Sequence, residues 1–497
     1  MRYGVVFVLL VLSVRGDYWA DRDAFIKEEA SETVGGSIKL SEKEEKVNRI
    51  LMQYKFREMD AAFQNSRNFA PGQHFFQARR LIEKSEVFRL IQTMPKGALL
   101  HGHDLCLVSS DYFYALTYKE NLYACSSNGN LRLKFFENGR QDDTCNWNLL
   151  NVLRIIDPSY DRWLRSQINL YTAHPKQRYP NINDVWGTFQ NMIFAVVDLL
   201  TYRPVFEDYF YQVLKDLYDD NVMYMEFRGF LPRLYELNGT IYQPLETIRF
   251  YEDTIAKFKR DHPRFLGARL IYAPHKDDNA TIQSSIAVAK AARKNHPDFV
   301  IGFDLVGQED TRFPIIAYLN ELKELQAMGM DFFFHAGETN WFETKTDFNL
   351  IDAILLGTRR IGHGYAITKH PKVMKIVKER QIAIEVCPIS NQVLMLVDDM
   401  RNHPAATLMA HGFPIVISND DPTFWGAKGL SHDFYMAFMG IAGRTDDLRL
   451  LKQLALNSLT YSALSKDEKD AAIAVWEKEW ESFIDATISR HGNEIPH

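Results

Sequence analysis

Residues 330–338 read Met-Asp-Phe-Phe-Phe-His335-Ala-Gly-Glu338. An apolar run of this length, without polar alternation, fits a strand buried on both faces, as in a parallel sheet. It ends on an imidazole and a carboxylate. Seven other runs share the pattern: 97–105 (GALLHGHDL), 222–230 (VMYMEFRGF), 266–274 (LGARLIYAP), 299–307 (FVIGFDLVG), 359–366 (RRIGHGYA), 382–391 (IAIEVCPISN) and 414–422 (PIVISNDDP). Helix-length segments separate most of them. Eight buried strands joined by crossovers predict an α/β fold of the (β/α)8 barrel class. The ionisable residues cluster at the carboxyl ends of the runs: His101 and His103, His335 and Glu338, His363, Asp420 and Asp421. Barrel enzymes carry their chemistry at that face.

Outward from the strands, residues 17–96 read as a helical extension. Ser41-x-x-Glu44 is a capping box for a helix running to about Phe63, and a second helical run from Phe75 to Met94 stops at Pro95-Lys96-Gly97. Two such helices make a thin core alone, so they are expected to pack on the main domain or on a second subunit. The first two strands are about 115 residues apart, far beyond an ordinary βα connection. An inserted small domain is expected near 110–180, within a barrel spanning 97–490. A further capping box, Ser465-x-x-Glu468, opens a helix to about Arg490.

Residues 1–16 read as a signal peptide, with Arg2, the apolar run 5–12 (VVFVLLVL), and small Val14 and Gly16 before Asp17. That run falls short of the roughly 20 residues a bilayer span needs, and no other stretch has that length. The mature chain is therefore expected to be soluble, secreted and extracellular. An oxidising compartment permits disulfides. Of the four cysteines, Cys125 and Cys145 lie close together in a polar segment and are expected to pair, while Cys106 and Cys387 follow apolar runs as buried free thiols. Asn238-Gly-Thr240 and Asn279-Ala-Thr281 are N-glycosylation sequons. A net charge of -6 argues against a nucleic-acid binder, which carries a basic excess.

In a strand, residues i and i+2 share a face, so His101 and His103 can grip one metal ion, with Gly102 removing bulk between them. The same pair could also be packed histidines. Glu338, at the end of an apolar strand, is poised for burial, which raises a carboxyl pKa and suits a general acid. Asp420 and Asp421 repel each other unless a cation sits beside them, or unless Ser418–Pro422 is merely an Asx-type turn. His363 lies between glycines that allow a ligand close, and Gly307 could offer a backbone N–H. Three histidines and an aspartate form a mixed N/O donor set that suits zinc and leaves room for water. Zinc lowers the pKa of bound water to about 7. The residues alone therefore point to metal-assisted hydrolysis at an electrophilic carbon or phosphorus.

Met94-Pro-Lys-Gly97 with His101-x-His103, His335-Ala-Gly-Glu338, Gly362-His363-Gly364 and Ser418-Asn-Asp-Asp-Pro422 together resemble the adenosine deaminase family. The leader, the helical extension and the cysteine-bearing insertion resemble its secreted branch, the adenosine-deaminase-related growth factors. The resemblance implies one Zn2+ per subunit on His101, His103, His335 and Asp420. It implies that Glu338 protonates purine N1, that His363 orients the hydroxide and helps move its proton, that Asp421 meets N7 and that the Gly307 N–H meets N3. Asp104 and Trp186 would make ribose and pocket contacts. The implied reaction is hydrolytic deamination of extracellular adenosine, or 2′-deoxyadenosine, to inosine, or 2′-deoxyinosine, and ammonia. The H-x-E with P-C-x-x-C signature of the other zinc nucleobase deaminases is absent. The resemblance also implies a homodimer through the N-terminal helices and a receptor-binding insertion that meets a cell-surface receptor or glycan. Two other readings stay open: the same barrel acting on adenine, a nucleotide or a non-purine amide, and a growth factor whose catalysis is incidental or lost.

Overall fold

The computed structural model describes residues 17–491 apart from 128, 138, 277 and 278. The expected signal peptide, 1–16, lies outside the described residues, as does the side chain of Asn279. Each of the eight expected runs contains a strand: β1 (Gly97–Leu99), β2 (Val222–Gly229), β3 (Gly267–Tyr272), β4 (Val300–Phe303), β5 (in two pieces, Asp331–Phe332 and His335–Ala336), β6 (Arg360–His363), β7 (Ala383–Val386) and β8 (Ile415–Ile417). All neighbours pair in parallel, for example Gly97 with Val222, His335 with Gly362, and Ile384 with Ile415. The first piece of β5 pairs with β4 and the second with β6, which carries one sheet into the other. A parallel bridge between Gly102 and Asp420 closes the ring.

Two sequence expectations need correction. The run 382–391 is strand only to Val386, because Pro388, which has no N–H for a ladder, opens the helix Pro388–Val393 instead. The single helix expected from Phe75 to Met94 is two helices. The extension contains α1 (Tyr18–Glu32), α2 (Glu42–Gln64), α3 (Phe75–Ile82) and α4 (Glu86–Thr93). Ser85 divides the last two: its hydroxyl accepts the Phe88 N–H as an N-cap and donates to the Glu58 carboxylate at 2.8 Å.

The capping box of α2 is formed, with Ser41 N donating to Glu44 Oε2 at 2.8 Å and Glu44 N to Ser41 Oγ at 3.3 Å. Helices α2 to α4 pack on the main domain, the first of the two alternatives their thin core left open. α2 lies against the C-terminal helix Lys466–His491, where Trp480 Nε1 and Lys452 Nζ both donate to the Glu44 carboxylate, at 2.8 and 2.6 Å. α1 has no buried residue.

The insertion after β1 holds a three-stranded antiparallel sheet of Leu122–Ser127, Asn130–Phe135 and Asn148–Leu149. The expected Cys125–Cys145 disulfide ties it together, and Cys106 and Cys387 are buried free thiols. The chain then enters α5 (Ile182–Leu200), which packs across Asn130–Phe135 and leans over the carboxyl end of the barrel. Among the described residues no helix is long and apolar enough to cross a membrane.

The disulfide closes a loop with a sequence separation of 20. Replacing both cysteines by serine is expected to cost the insertion about 3 kcal/mol of local stability. Amide hydrogen exchange should speed up across 122–149 and stay unchanged in β2 to β8. Equal exchange in both regions would show that the bond carries no local load.

Candidate active site

The contact that closes the barrel also assembles the site. His103 N donates to Asp420 O at 3.1 Å and Asp420 N donates to His101 O at 3.2 Å. This pairing sets Asp420 Oδ1 3.3 Å from His101 Nε2 and 3.1 Å from His103 Nε2. A Cβ on Gly102 would meet the Leu107 side chain at 2.7 Å, so the absence of bulk between the two histidines is required here. His335, from β5, and His363, from β6, complete the cluster. Their rings lie 4.6 and 4.8 Å from that of His101. Possible ligand atoms of His101, His335, His363 and Asp420 all fall within 4.8 Å of one another, and those of His103, Asp420 and Asp421 form a second such group. His363 and Asp420 have φ of 61° and 58°, a left-handed backbone that is uncommon for non-glycine residues.

Behind the histidines lies a layer of buried charge. His101 Nδ1 donates to Glu385 Oε2 at 2.7 Å, and His335 Nδ1 to Asp304 Oδ2 at 2.6 Å. Arg228 joins the two carboxylates, donating to Asp304 at 2.8 Å and to Glu385 at 2.7 Å. Arg360 holds the other oxygen of Glu385 at 2.6 Å and pairs with Glu226 at 2.8 Å. Burial pushes the Glu385 carboxyl up, but the charges of Arg228 and Arg360 more than reverse it and hold it below the usual carboxylate range. Asp304 is likewise held low, burial being outweighed by His335 and Arg228. Burial drives His335 down to about 3, so its ring is neutral.

With Nδ1 donating to a carboxylate, a neutral imidazole leaves Nε2 bare and facing the cavity. His101 Nε2 and Asp420 Oδ1 are buried atoms without a hydrogen-bond partner, and they face each other. A lone pair set against a carboxylate oxygen repels it, and a cation between them removes the repulsion. The other oxygen of Asp420 takes the Ser390 hydroxyl at 2.7 Å. The donor set therefore fits a divalent metal such as zinc.

The remaining groups are arranged for proton handling. Burial, with the Asp420 charge beside it, holds the Glu338 carboxyl well above its usual range. Its Oε1 is 3.6 Å from His363 Nε2. Glu309 fixes the backbone there, accepting from Glu338 N at 2.6 Å and from Gly337 N at 3.1 Å. Burial keeps His363 neutral. Burial and the adjacent Asp420 raise Asp421, and burial raises Asp104 to about 7 while Tyr251 donates a hydrogen bond to it.

These groups open into a cavity of about 190 Å3. Every residue singled out from the sequence for the site lines it except His101, which sits behind the others. Gly307 has φ +114°, and a Cβ there would come within 3.3 Å of His275 Nδ1. Trp186 was expected. Phe189, Ile193 and Phe194, on the same helix, and His275 were not, and together they form much of the wall. Their signal is weak, because apolar positions along a helix read as core. Most of the buried charges were legible in principle: Glu226, Arg228, Asp304 and Glu385 interrupt apolar runs, where an unpaired charge cannot stay.

A closed parallel barrel, with carboxylate-backed histidines and an aspartate at the carboxyl ends of its strands, defines an amidohydrolase-type hydrolase fold. Comparison with known proteins narrows the class. The family model "Adenosine deaminase" matches residues 166–476, and "Adenosine/AMP deaminase N-terminal" matches 9–91. An adenosine deaminase of Phlebotomus duboscqi is 47% identical over 467 residues, covering 93% of this chain and 90% of the relative. Adenosine deaminase 2 of Sus scrofa is 44% identical, covering 93% of both chains. The human adenosine deaminase 2 is 44% identical, covering 91% and 90%. The chain belongs to the adenosine deaminase family. Among solved structures, a zinc-bound amidohydrolase from Burkhoderia ambifaria superimposes with a TM-score of 0.54 at 21% identity, covering 81% of this chain and 95% of that one. An adenine deaminase from Arthrobacter aurescens gives 0.56 at 18%, covering 77% and 98%. These two share the fold.

Asp304→Asn would leave the buried Arg228 short of a countercharge. The expected loss is about 3–5 kcal/mol of unfolding free energy, read by guanidinium denaturation in a chelating buffer. A loss under about 1 kcal/mol would mean that Glu385 alone suffices for Arg228.

Proposed function

We propose that this protein is a secreted, zinc-dependent deaminase of adenosine and 2′-deoxyadenosine. One observation carries the reading: Glu338, kept protonated by burial, faces the same small cavity as neutral His363 and the His/Asp cluster. A protonated carboxyl beside a metal-capable cluster suits protonation of a ring nitrogen and addition of water at the neighbouring carbon. Family membership at more than 40% identity to adenosine deaminases supports adenosine as the substrate.

His101, His103, His335 and Asp420 would hold one zinc ion. Bound there, zinc lowers the pKa of water to about 7 and so supplies a nucleophile at neutral pH. The chain's own residues do the rest. Glu338 gives its proton to purine N1, which makes C6 more electrophilic. His363 orients the attacking water. Asp421, whose carboxyl is pushed up by burial and the adjacent Asp420, hydrogen-bonds N7, and the Gly307 N–H meets N3. Asp104 holds the ribose against the apolar wall that includes Trp186. Water adds at C6, ammonia leaves, and the product is inosine.

The leader at 1–16, the Cys125–Cys145 disulfide and the exposed sequon at Asn238 support an extracellular, glycosylated protein; Asn279 would be the second glycosylation site. Homodimerisation through residues 17–96 is supported by α1, which leaves Tyr18, Trp19 and Phe25 each more than 60% exposed. A receptor-binding role for 110–180 is supported by Ile155 and Ile156, 81% and 73% exposed.

Adding purified protein to adenosine tests the reading by ultraviolet absorbance. The expected result is the adenosine-to-inosine shift, with the rate cut by about 100- to 10,000-fold in Glu338→Ala and lost after chelation. No shift with folded, zinc-loaded protein would move the assignment to another substrate of the same barrel.

A further inference from the structure

The chemistry of His363 is set by residues outside the cavity. Its Nδ1 lies 3.3 Å from Asn391 Nδ2. Asn391 Oδ1 lies 2.9 Å from His403 Nε2, and His403 Nδ1 lies 3.0 Å from the backbone N of Ala405. All three side chains are buried.

The last of these contacts has a fixed polarity. A backbone N–H only donates, so His403 Nδ1 must be bare. Burial drives His403 down to about 3, which leaves the ring with a single proton, on Nε2. That N–H donates to Asn391 Oδ1. The Asn391 amide is thereby oriented, and its Nδ2 donates to His363 Nδ1. The opposite amide orientation would need a proton on His403 Nδ1, against the Ala405 N–H. His363 Nδ1 accepts and is therefore bare, so the ring proton sits on Nε2, the nitrogen 3.6 Å from Glu338 Oε1 and 4.0 Å from Asp420 Oδ2.

We infer that the Ala405 N–H, His403 and Asn391 form a polarity relay that locks His363 in the Nε2–H tautomer, so that His363 meets the reacting oxygen as a hydrogen-bond donor. Asn391 and His403 are then positioning residues. The inference deepens the deaminase reading and rests on its role for His363. In the other tautomer a bare Nε2 would face the cavity, and the oxygen would lose its donor. In a serine protease, holding the catalytic histidine in the wrong tautomer costs about 10,000-fold.

Asn391→Asp is the decisive variant. A carboxylate accepts only, so it draws a proton onto His363 Nδ1 and strips Nε2. Full-length, zinc-loaded protein with 15N-labelled histidine provides the spectroscopic readout, with the His363 signals assigned by their loss in His363→Gln. The wild type should show a protonated Nε2 and a bare Nδ1, and Asn391→Asp the reverse. With zinc content and melting temperature near wild type, kcat for adenosine should fall roughly 100-fold or more while KM stays within about twofold. His403→Gln, whose amide can accept from Ala405 and donate to Asn391, should recover most of the kcat that His403→Leu loses. A wild-type His363 protonated on Nδ1, or Asn391→Asp with unchanged kcat, overturns the relay. Wild-type protein that shows the expected tautomer but leaves adenosine unchanged instead overturns the deaminase reading.

Discussion

Arg228 lies inside the barrel with no exposed surface, donating to Asp304 and Glu385 together. Removing such charges from water costs several kcal/mol each, and only close pairing with full hydrogen bonding offsets it. The pairing reaches most of the ring. Arg228 and Glu226 belong to β2, Asp304 follows β4, Arg360 begins β6 and Glu385 lies in β7. Through His101 and His335 the network also grips the chain after β1 and the second piece of β5. A strand that slipped by one residue would turn its charge out of the interior and leave its partners bare. Strand register and imidazole orientation are thus enforced by the same contacts.

This arrangement explains how the N/O cluster is aimed. Each carboxylate takes an Nδ1 proton and leaves Nε2 facing inward, while each arginine keeps its carboxylate ionised. On the other side of the cavity the logic reverses. Glu338 and Asp421 lie where burial dominates, and both carboxyls are pushed well above their usual range. The carboxyls behind the histidines are thus held low by arginine, while Glu338 and Asp421, which line the cavity, are pushed up by burial.

The barrel was legible because its strands are short, doubly buried and end in chemistry. Histidines at the ends of GALLHGH, FFFH and RRIGH mark one face without any knowledge of helix packing. The break between α3 and α4 was hidden, because it depends on Glu58, 27 residues before Ser85 in sequence, meeting the Ser85 hydroxyl. The turn at Pro388 was visible but lost to the apolar run around it. The wall supplied by Phe189, Ile193 and Phe194 was not legible, since only the path of the insertion shows which face of that helix overhangs the barrel. Asn391 and His403 were passed over for a similar reason: their meaning lies in donor polarity passed from group to group, which residue spacing does not encode.

The seam between Gly102 and Asp420 joins the first strand to the last through residues of the cluster itself. The barrel is fastened at its working end. Any cation that holds His101, His103 and Asp420 together is a clasp on that seam, and mass action adds its binding free energy to closure, about 4 kcal/mol when the free ion stands a thousandfold above its dissociation constant. With zinc held there as proposed, resistance to unfolding would rise with the free metal around the molecule, and one supply would govern both its persistence and its competence.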